Sequence, residues 1–360
     1  IAKYQQYIAH CKQNNKNPEY DLHIHVGIPN EFEKKGKRSI CVTAGIETDR
    51  VSPKWLIKTH QGIDKIIVPS NHAKDGFINT KYEIVNKANN SKTVVDCNCE
   101  VEVVPYPVKN TEPKHLDLNI TTNYNFLTIA MLGPRKNLED TISCFVESFR
   151  DNPDVGLLLK VSSGRSSIID RAKTKQQIKM FLENLGPRKC KIYLLHGNLT
   201  EEEIHSLYVH PKVKAYISTS HGEGYGLPLF EAAYSGLPVI ATDWSGHLDF
   251  LSAKVKNKEK KLFAKVEYKL SEVQKPAEWE DIITKDSKWA FPSKKSISNQ
   301  LINMYKNHGM YKSWAKKLKQ SILVSHDEKV IADKMKKAIL LENSQQTIDE
   351  IEEMFSSLGQ

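Results

Sequence analysis

The sequence predicts an α/β fold of two doubly wound, Rossmann-like domains, and three observations carry that expectation. Apolar runs of strand length alternate with runs of helical spacing through most of the chain. The stretch 213–243, VKAYISTSHGEGYGLPLFEAAYSGLPVIATD, reads as one complete β-loop-α-β unit. At 360 residues, two domains of ordinary size are expected. Within the unit, residues 213–217 form a strand, and a loop with Gly222, Gly224 and Gly226 follows. Pro228 opens a short helical run through Ala233, Gly236 stops it, and residues 237–241 form a second strand. Pro costs a first helical turn no hydrogen bond, and Gly tolerates the left-handed backbone that ends a helix.

From the N-terminus, residues 1–19 are polar, with a short helix ending near Asn14. In YDLHIHV, Asp21, His23 and His25 alternate with Leu22, Ile24 and Val26, a strand pattern that sets His23 and His25 on one face. Residues 39–46 and 63–68 are further strands; a helix follows Pro69-Ser70 through Phe77, and residues 93–105 form another strand. Residues 107–123 are polar and read as an interdomain linker. The second half opens with a strand at 126–132, then the turn Gly133-Pro134-Arg135-Lys136-Asn137, with Asn137 as helix N-cap. Leu138, Ile142, Phe145, Val146 and Phe149 recur at helical spacing. A strand at 155–161, a helix at about 167–185, a strand at 192–195 and a helix at 200–208 lead into the 213–243 unit. Beyond it, residues 253–261 read as a Lys-rich loop and 296–320 as helices. Ser325 and Glu328 form a capping box before an amphipathic helix through Leu341, and a tail with an acidic run at 349–353 follows. The expected units are 1–118, 119–324 and 325–360.

Composition bounds the function. Charged residues make up 26% and hydrophobic ones 39%, enough to build cores. No apolar run reaches the length of a membrane span, and no secretory signal pattern stands at the start. The chain begins with Ile1, which leaves a fragment or a processed product open. The net charge of +9 suits phosphate-bearing partners or an anionic membrane surface, and equally a soluble lysine-rich face. No basic stretch interleaved with aromatics marks a nucleic-acid module. The six cysteines do not form a disulfide framework, so a reducing, cytoplasmic setting is expected. Cys41 and Cys144 read as small buried hydrophobes. Cys97-Asn98-Cys99 lacks a second metal-ligand pair, His23 and His25 lack a third ligand, and no metal site is expected.

The candidate chemistry is that of a site for an activated, phosphate-bearing sugar. Such a site must neutralise a diphosphate, accept hydrogen bonds from hydroxyls, and stabilise charge on the departing phosphate. The loop 222–226 can bring backbone amides close to an anion, and the helix after it adds the positive end of its dipole. Arg135 and Lys136 end a neighbouring strand and supply fixed charge. Glu231 can accept from a ribose diol, and Glu223 can meet the sugar. Read singly, Glu231 is an acid placed on a helix dipole and Glu223 a solvated loop acid.

The segment HGEGYGLPLFEAAYSGLPVIATD resembles the E-x7-E region of retaining glycosyltransferases of family 4, which have the GT-B fold. LGPRKNLEDTI is similar to that family's phosphate-contacting turn, and LLHGNLTEEEIHSLY to the segment bordering its nucleobase pocket. IDKIIVPSNHAKDGF resembles the end of its first domain, AGIETDRVSPKW a segment of some members, and the helix at 325–341 one that crosses back to the first domain. The resemblance covers most of residues 20–341 and is strongest over 126–250. It implies two Rossmann-like domains facing a cleft, and transfer of a sugar, with retention, from a nucleoside diphosphate sugar to a glycan, lipid-linked or protein acceptor. It implies no cofactor and no metal. Glu223, Arg135 and Lys136 would be the catalytic residues. Glu231, Gly222, Gly224, Tyr225, Gly226, Leu227, His196, Gly197 and Lys160 would bind the donor, with His196-Gly197 bordering the base. His25 or Glu47 would stand on the acceptor side.

The sequence departs from the family twice. The family's Arg falls near Ala130 or Met131, whereas here Arg135 adjoins Lys136; Lys160 is a second source of positive charge. The family's opening strand and Gly-rich loop have no counterpart before Tyr20, so a partial first domain is expected. That second departure keeps a rival in view, a non-catalytic GT-B remnant that binds nucleotide or glycan. A dinucleotide-dependent oxidoreductase is disfavoured, because no strand is followed by G-x-G-x-x-G with a downstream acid.

Overall fold

The structure, a computed structural model, describes residues 2–14, 20–85, 91–164 and 166–340. Helix α1 (Ala2–Gln13) comes first. Then follow β1 (Tyr20–Val26), β2 (Gly36–Val42), α2 (Pro53–Thr59), β3 (Lys65–Val68), α3 (Asn71–Ile78), β4 (Tyr82–Val85), β5 (Lys92–Val95) and β6 (Glu100–Val103). Among the described residues the first sheet is parallel, in the order β1-β2-β3-β6. His23 and His25 do share a face of β1, where both rings lie against Phe32. The strand expected at 93–105 is divided: β5 pairs antiparallel with β4 as a hairpin, and β6 alone enters the sheet.

The second half comprises β7 (Tyr124–Met131), α4 (Leu138–Phe149), β8 (Val155–Ser162), α5 (Ile168–Asn184), β9 (Lys191–Leu195), α6 (Glu201–Val209), β10 (Val213–Ser218), α7 (Leu227–Ser235) and β11 (Val239–Thr242). It continues with β12 (Ser252–Val255), β13 (Lys258–Lys261), β14 (Ala264–Val266), β15 (Tyr268–Glu272), β16 (Lys288–Pro292), α8 (Lys294–Lys306), α9 (His308–Ser325) and α10 (Glu328–Ile339). The sheet order β14-β11-β10-β7-β8-β9 is that of a doubly wound dinucleotide-type sheet read from its far edge. Its strand order reverses between β7 and β10, and a ligand crevice is expected beyond their carboxyl ends. Successive strand residues face opposite sides. Leu127, Leu158 and Tyr216 pack with Leu207 and Phe230 on one face, and Phe126, Leu157 and Ile217 with Phe145 and Leu301 on the other. Burial on both faces explains why these strands read as continuous apolar runs.

Three local expectations are corrected. The loop expected at 253–261 is the hairpin β12–β13, whose two turn residues, Lys256 (φ 49°) and Asn257 (φ 60°), adopt the left-handed backbone of a tight two-residue turn. Ser325 is the last residue of α9 rather than a cap; Asp327 caps α10 by accepting from the Lys329 amide at 3.0 Å. Asn137 precedes α4 but has a left-handed backbone (φ 48°), which turns its side chain away from the helix amides. Leu341 and the acidic tail lie outside the described residues.

The two halves are tied together. Helix α10 returns to the first sheet, where Ile331 and Ala338 pack on Ile40, Ile67 and Val104. The segment spanning β15 and β16 leaves the second half and places Val273, Ile283 and Trp289 in one core with Phe32, Cys41, Trp55 and Phe77. Polar contacts border this junction, with Arg50 to Asp286 at 2.9 Å, Lys54 to Asp281 at 2.6 Å, and the Lys288 amide to Asp49 at 2.6 Å.

Candidate functional site

The turn after β7 and the loop after β10 meet at the reversal point of the second sheet. The turn is a single 3-10 turn over Pro134–Lys136, and it aims two cations at one carboxylate. Arg135 Nη1 donates to Glu223 Oε2 at 2.8 Å, and Lys136 Nζ to Glu223 Oε1 at 2.5 Å. Ser220 Oγ donates to the same Oε1 at 2.8 Å. Glu223 is buried, with 6% of its surface exposed. Burial alone pushes its carboxyl up, but Lys136 and Arg135 overcome that and hold it at about 2. Glu47, from the loop after β2, lies 3.4 Å from Arg135 Nη2, so the arginine is shared between a carboxylate of each half.

The glycine loop is clamped. The Glu223 amide donates to Ser245 Oγ (3.0 Å), the Gly246 amide to the Glu223 carbonyl (2.9 Å), and Ser70 Oγ to the Gly224 carbonyl (2.5 Å). A β-carbon at Gly222 would lie 1.9 Å from the Glu47 carbonyl oxygen, and one at Gly224 2.4 Å from that of Ala44. These two positions have no side chain because the first-domain loop runs directly against them. Among the described residues, no hydrogen bond uses the amides of Gly224, Tyr225 or Gly226, which precede the N-terminus of α7. Three donors at a helix start suit an anion. The Tyr225 side chain turns away into the core, against Tyr106, Phe230 and Phe250. Leu227, the first helical residue, is 45% exposed.

Glu231 occupies a separate place without a convergent pair of cations. It lines a small cavity of about 120 Å³ with Lys109, Leu199, Ile204, Tyr208 and Tyr234. Tyr208 donates to Glu231 Oε2 at 2.9 Å. Burial raises the Glu231 carboxyl, and the Tyr208 hydrogen bond and the charge of Lys109 offset this in part. The remaining carboxylate oxygen is an acceptor without a hydrogen-bond donor among the described residues. A further cavity of about 680 Å³ lies behind the turn, between α4 and α5.

Lys160, His196 and Gly197 form a third group, beyond β8 and β9. Lys160 Nζ donates to the Gly197 carbonyl at 2.6 Å, and burial lowers its pKa. His196 Nε2 lies 3.3 Å from Asp170 Oδ2. The structure thus joins Arg135, Lys136, Glu223 and Glu47, and sets Glu231 one helical segment away. His25 stays on β1 beside Phe32, with no contact to this cluster among the described residues. Ser220, Ser245, Ser70, Tyr208 and Asp170 escaped the sequence reading. Only Ser220 carried a local signal, three residues before Glu223 and pointing to the same side of the turn; the others arrive through tertiary contacts.

Residues 111–279 match the family model described as "Glycosyl transferases group 1". The serotype-specific mannosyltransferase WbdA of Escherichia coli is 31% identical over 121 residues, which are 33% of this chain and 13% of that protein. The chain thus aligns with about an eighth of this relative's length. Sucrose-phosphate synthase from Thermosynechococcus elongatus superimposes with a TM-score of 0.56 at 14% identity, covering 91% of this chain and 74% of that one. The pneumococcal O-GlcNAc transferase GtfA, solved with UDP and GlcNAc, gives 0.53 at 14% identity, covering 92% and 58%. The fold is GT-B, and the match to the glycosyl transferases group 1 model covers residues 111–279.

Proposed function

We propose that this chain transfers a sugar from a nucleoside diphosphate sugar to a glycan, lipid-linked or protein acceptor, with retention at the anomeric carbon. One observation carries the reading: Arg135 and Lys136 converge on Glu223 at 2.8 and 2.5 Å, at the strand reversal of a GT-B sheet. Two convergent cations, three free amides and a helix N-terminus make a diphosphate site. An incoming diphosphate competes with Glu223 for Arg135 and Lys136. The displaced carboxylate then faces the donor sugar, while the cations stabilise the departing nucleoside diphosphate. Glu231 accepts from the ribose hydroxyls, His196-Gly197 borders the base, and Lys160 adds charge. Glu47 and His25 stand on the acceptor side. The relatives include a protein named a mannosyltransferase and one titled an O-GlcNAc transferase, which supports a sugar donor in general and selects no particular one. The reaction needs no metal or other cofactor, and the net charge of +9 leaves room for an anionic membrane surface near the acceptor.

Thermal-shift measurements across nucleoside diphosphate sugars, followed by donor hydrolysis or transfer assays with and without a chelator, test this. At least one donor should stabilise the protein and turn over, with or without the chelator. Binding without turnover identifies a non-catalytic binding module instead, and stabilisation by no donor overturns transfer and favours a remnant that binds glycan.

A further inference from the structure

Away from the cleft, the loop between β5 and β6 brings two thiols together. Cys97 Sγ and Cys99 Sγ lie 3.9 Å apart, and the Cys97 thiol also reaches the Cys99 carbonyl at 3.5 Å. The loop is anchored on α2 and its end: the Asn98 amide donates to Thr59 Oγ1 at 2.9 Å, and His60 Nε2 is 3.0 Å from the Asp96 carbonyl. Cys97 and Cys99 are half-buried against the first-half core, whereas Cys11, Cys41, Cys144 and Cys190 are buried. A hydrogen bond from the Cys99 thiol lowers the Cys97 pKa against the effect of burial, which favours Cys97 as the attacking sulfur of the pair. Burial pushes Cys41 up to about 12, which leaves it inert. No group of three metal-ligating side chains suited to a metal ion occurs among the described residues, so the chemistry open to this pair is that of two sulfurs.

We propose that Cys97 and Cys99 form a redox-active dithiol that closes to an intramolecular disulfide by exchange with a low-molecular-weight disulfide such as oxidised glutathione. The Cys97 thiolate attacks one sulfur of the small disulfide, forms a mixed disulfide and expels one small thiolate. Cys99 then loses its proton to solvent and attacks Cys97 Sγ, expelling the second small thiolate. Two protein thiols are oxidised and one small disulfide is reduced to two thiols.

The test equilibrates the native chain in glutathione buffers of graded ratio, alkylates the free thiols and maps the peptides by mass spectrometry. The peptide carrying both cysteines should lose two hydrogens as the buffer becomes oxidising and regain them under reductant. Cys99→Ser should stop at glutathione on Cys97, because no second thiol is left to expel it. Cys41→Ser should close normally. Free alkylation of both thiols at every ratio, or a disulfide that uses Cys41, overturns the proposal. The wild-type mapping decides even where a variant folds poorly.

Discussion

Glu223 and Glu231 stand eight residues apart in one β-loop-α unit, and their surroundings drive them in opposite directions. The loop acid is buried among Arg135, Lys136 and Ser220, and its carboxyl is held at about 2. The helix acid is half-buried beside Tyr208 and Tyr234, and its carboxyl is raised. Burial acts on both; the difference is the convergence of two cations on one of them. A carboxylate that already neutralises two cations marks where an incoming anion would bind. A carboxylate in a small mixed cavity, with one oxygen that no described residue donates to, marks where hydroxyl donors would bind. Under the proposed function, phosphate would sit at the loop and ribose at the helix.

The comparison breaks most sharply at Lys136. Lys136→Ala should lower kcat/KM by about 100- to 1,000-fold and weaken nucleoside diphosphate and inorganic pyrophosphate binding alike. Undiminished affinity for both in calorimetry would strip the loop of its role. Glu231→Gln should cost about 10- to 100-fold in nucleoside diphosphate affinity, the worth of hydrogen bonds to a charged acceptor, and leave pyrophosphate binding unchanged. Equal losses for both ligands would mean that the two acids serve one subsite.

Acid unfolding sharpens the contrast in sign. The Glu223 carboxyl is depressed on folding, so its stabilisation is present above about pH 4.5 and is lost as pH falls toward about 2. Over that window the wild type should lose roughly 3 kcal/mol that Glu223→Gln never has. Glu231 is raised on folding, so its contribution is present below about pH 4.5 and is lost as pH climbs through its folded value. Chemical denaturation at several pH values separates the two, and parallel curves for wild type and Glu223→Gln would refute the ion cluster. The smallest effect is expected for Tyr208→Phe, about 1 kcal/mol of stability, with the Glu231 carboxyl rising further. An unchanged nucleotide-binding pH profile in that variant would mean the hydrogen bond does not tune Glu231.

The second sheet was legible because its strands are buried on both faces and its helices carry end signals. Periodicity and the Pro228 and Gly236 pair were enough. The convergence of Arg135 and Lys136 on Glu223 was legible only as three residues at the ends of two strands, because strand order is a tertiary property. The hairpin at β12–β13 was missed because its arms are lysine-rich and lack alternation; Asn257 in its turn was the available signal. The Cys97 and Cys99 pair was visible as a spacing, but the 3.9 Å approach of its sulfurs depends on how the loop seats on α2. Gly222 and Gly224 read as an anion-binding loop, and nothing local announced that the Glu47 and Ala44 carbonyls would press against them.

The core of the first half also has a consequence in time. Phe32, Trp55 and Phe77 wait for Val273, Ile283 and Trp289, and the opposite face of the sheet waits for Ile331 and Ala338. A growing polypeptide would therefore extend through most of its second Rossmann-like unit before the earlier one could seal its apolar surfaces. The later-made unit would be the first able to bury its own, so assembly would run against the direction of synthesis. Severing the chain between the two sheets would leave the earlier piece without the side chains that close it.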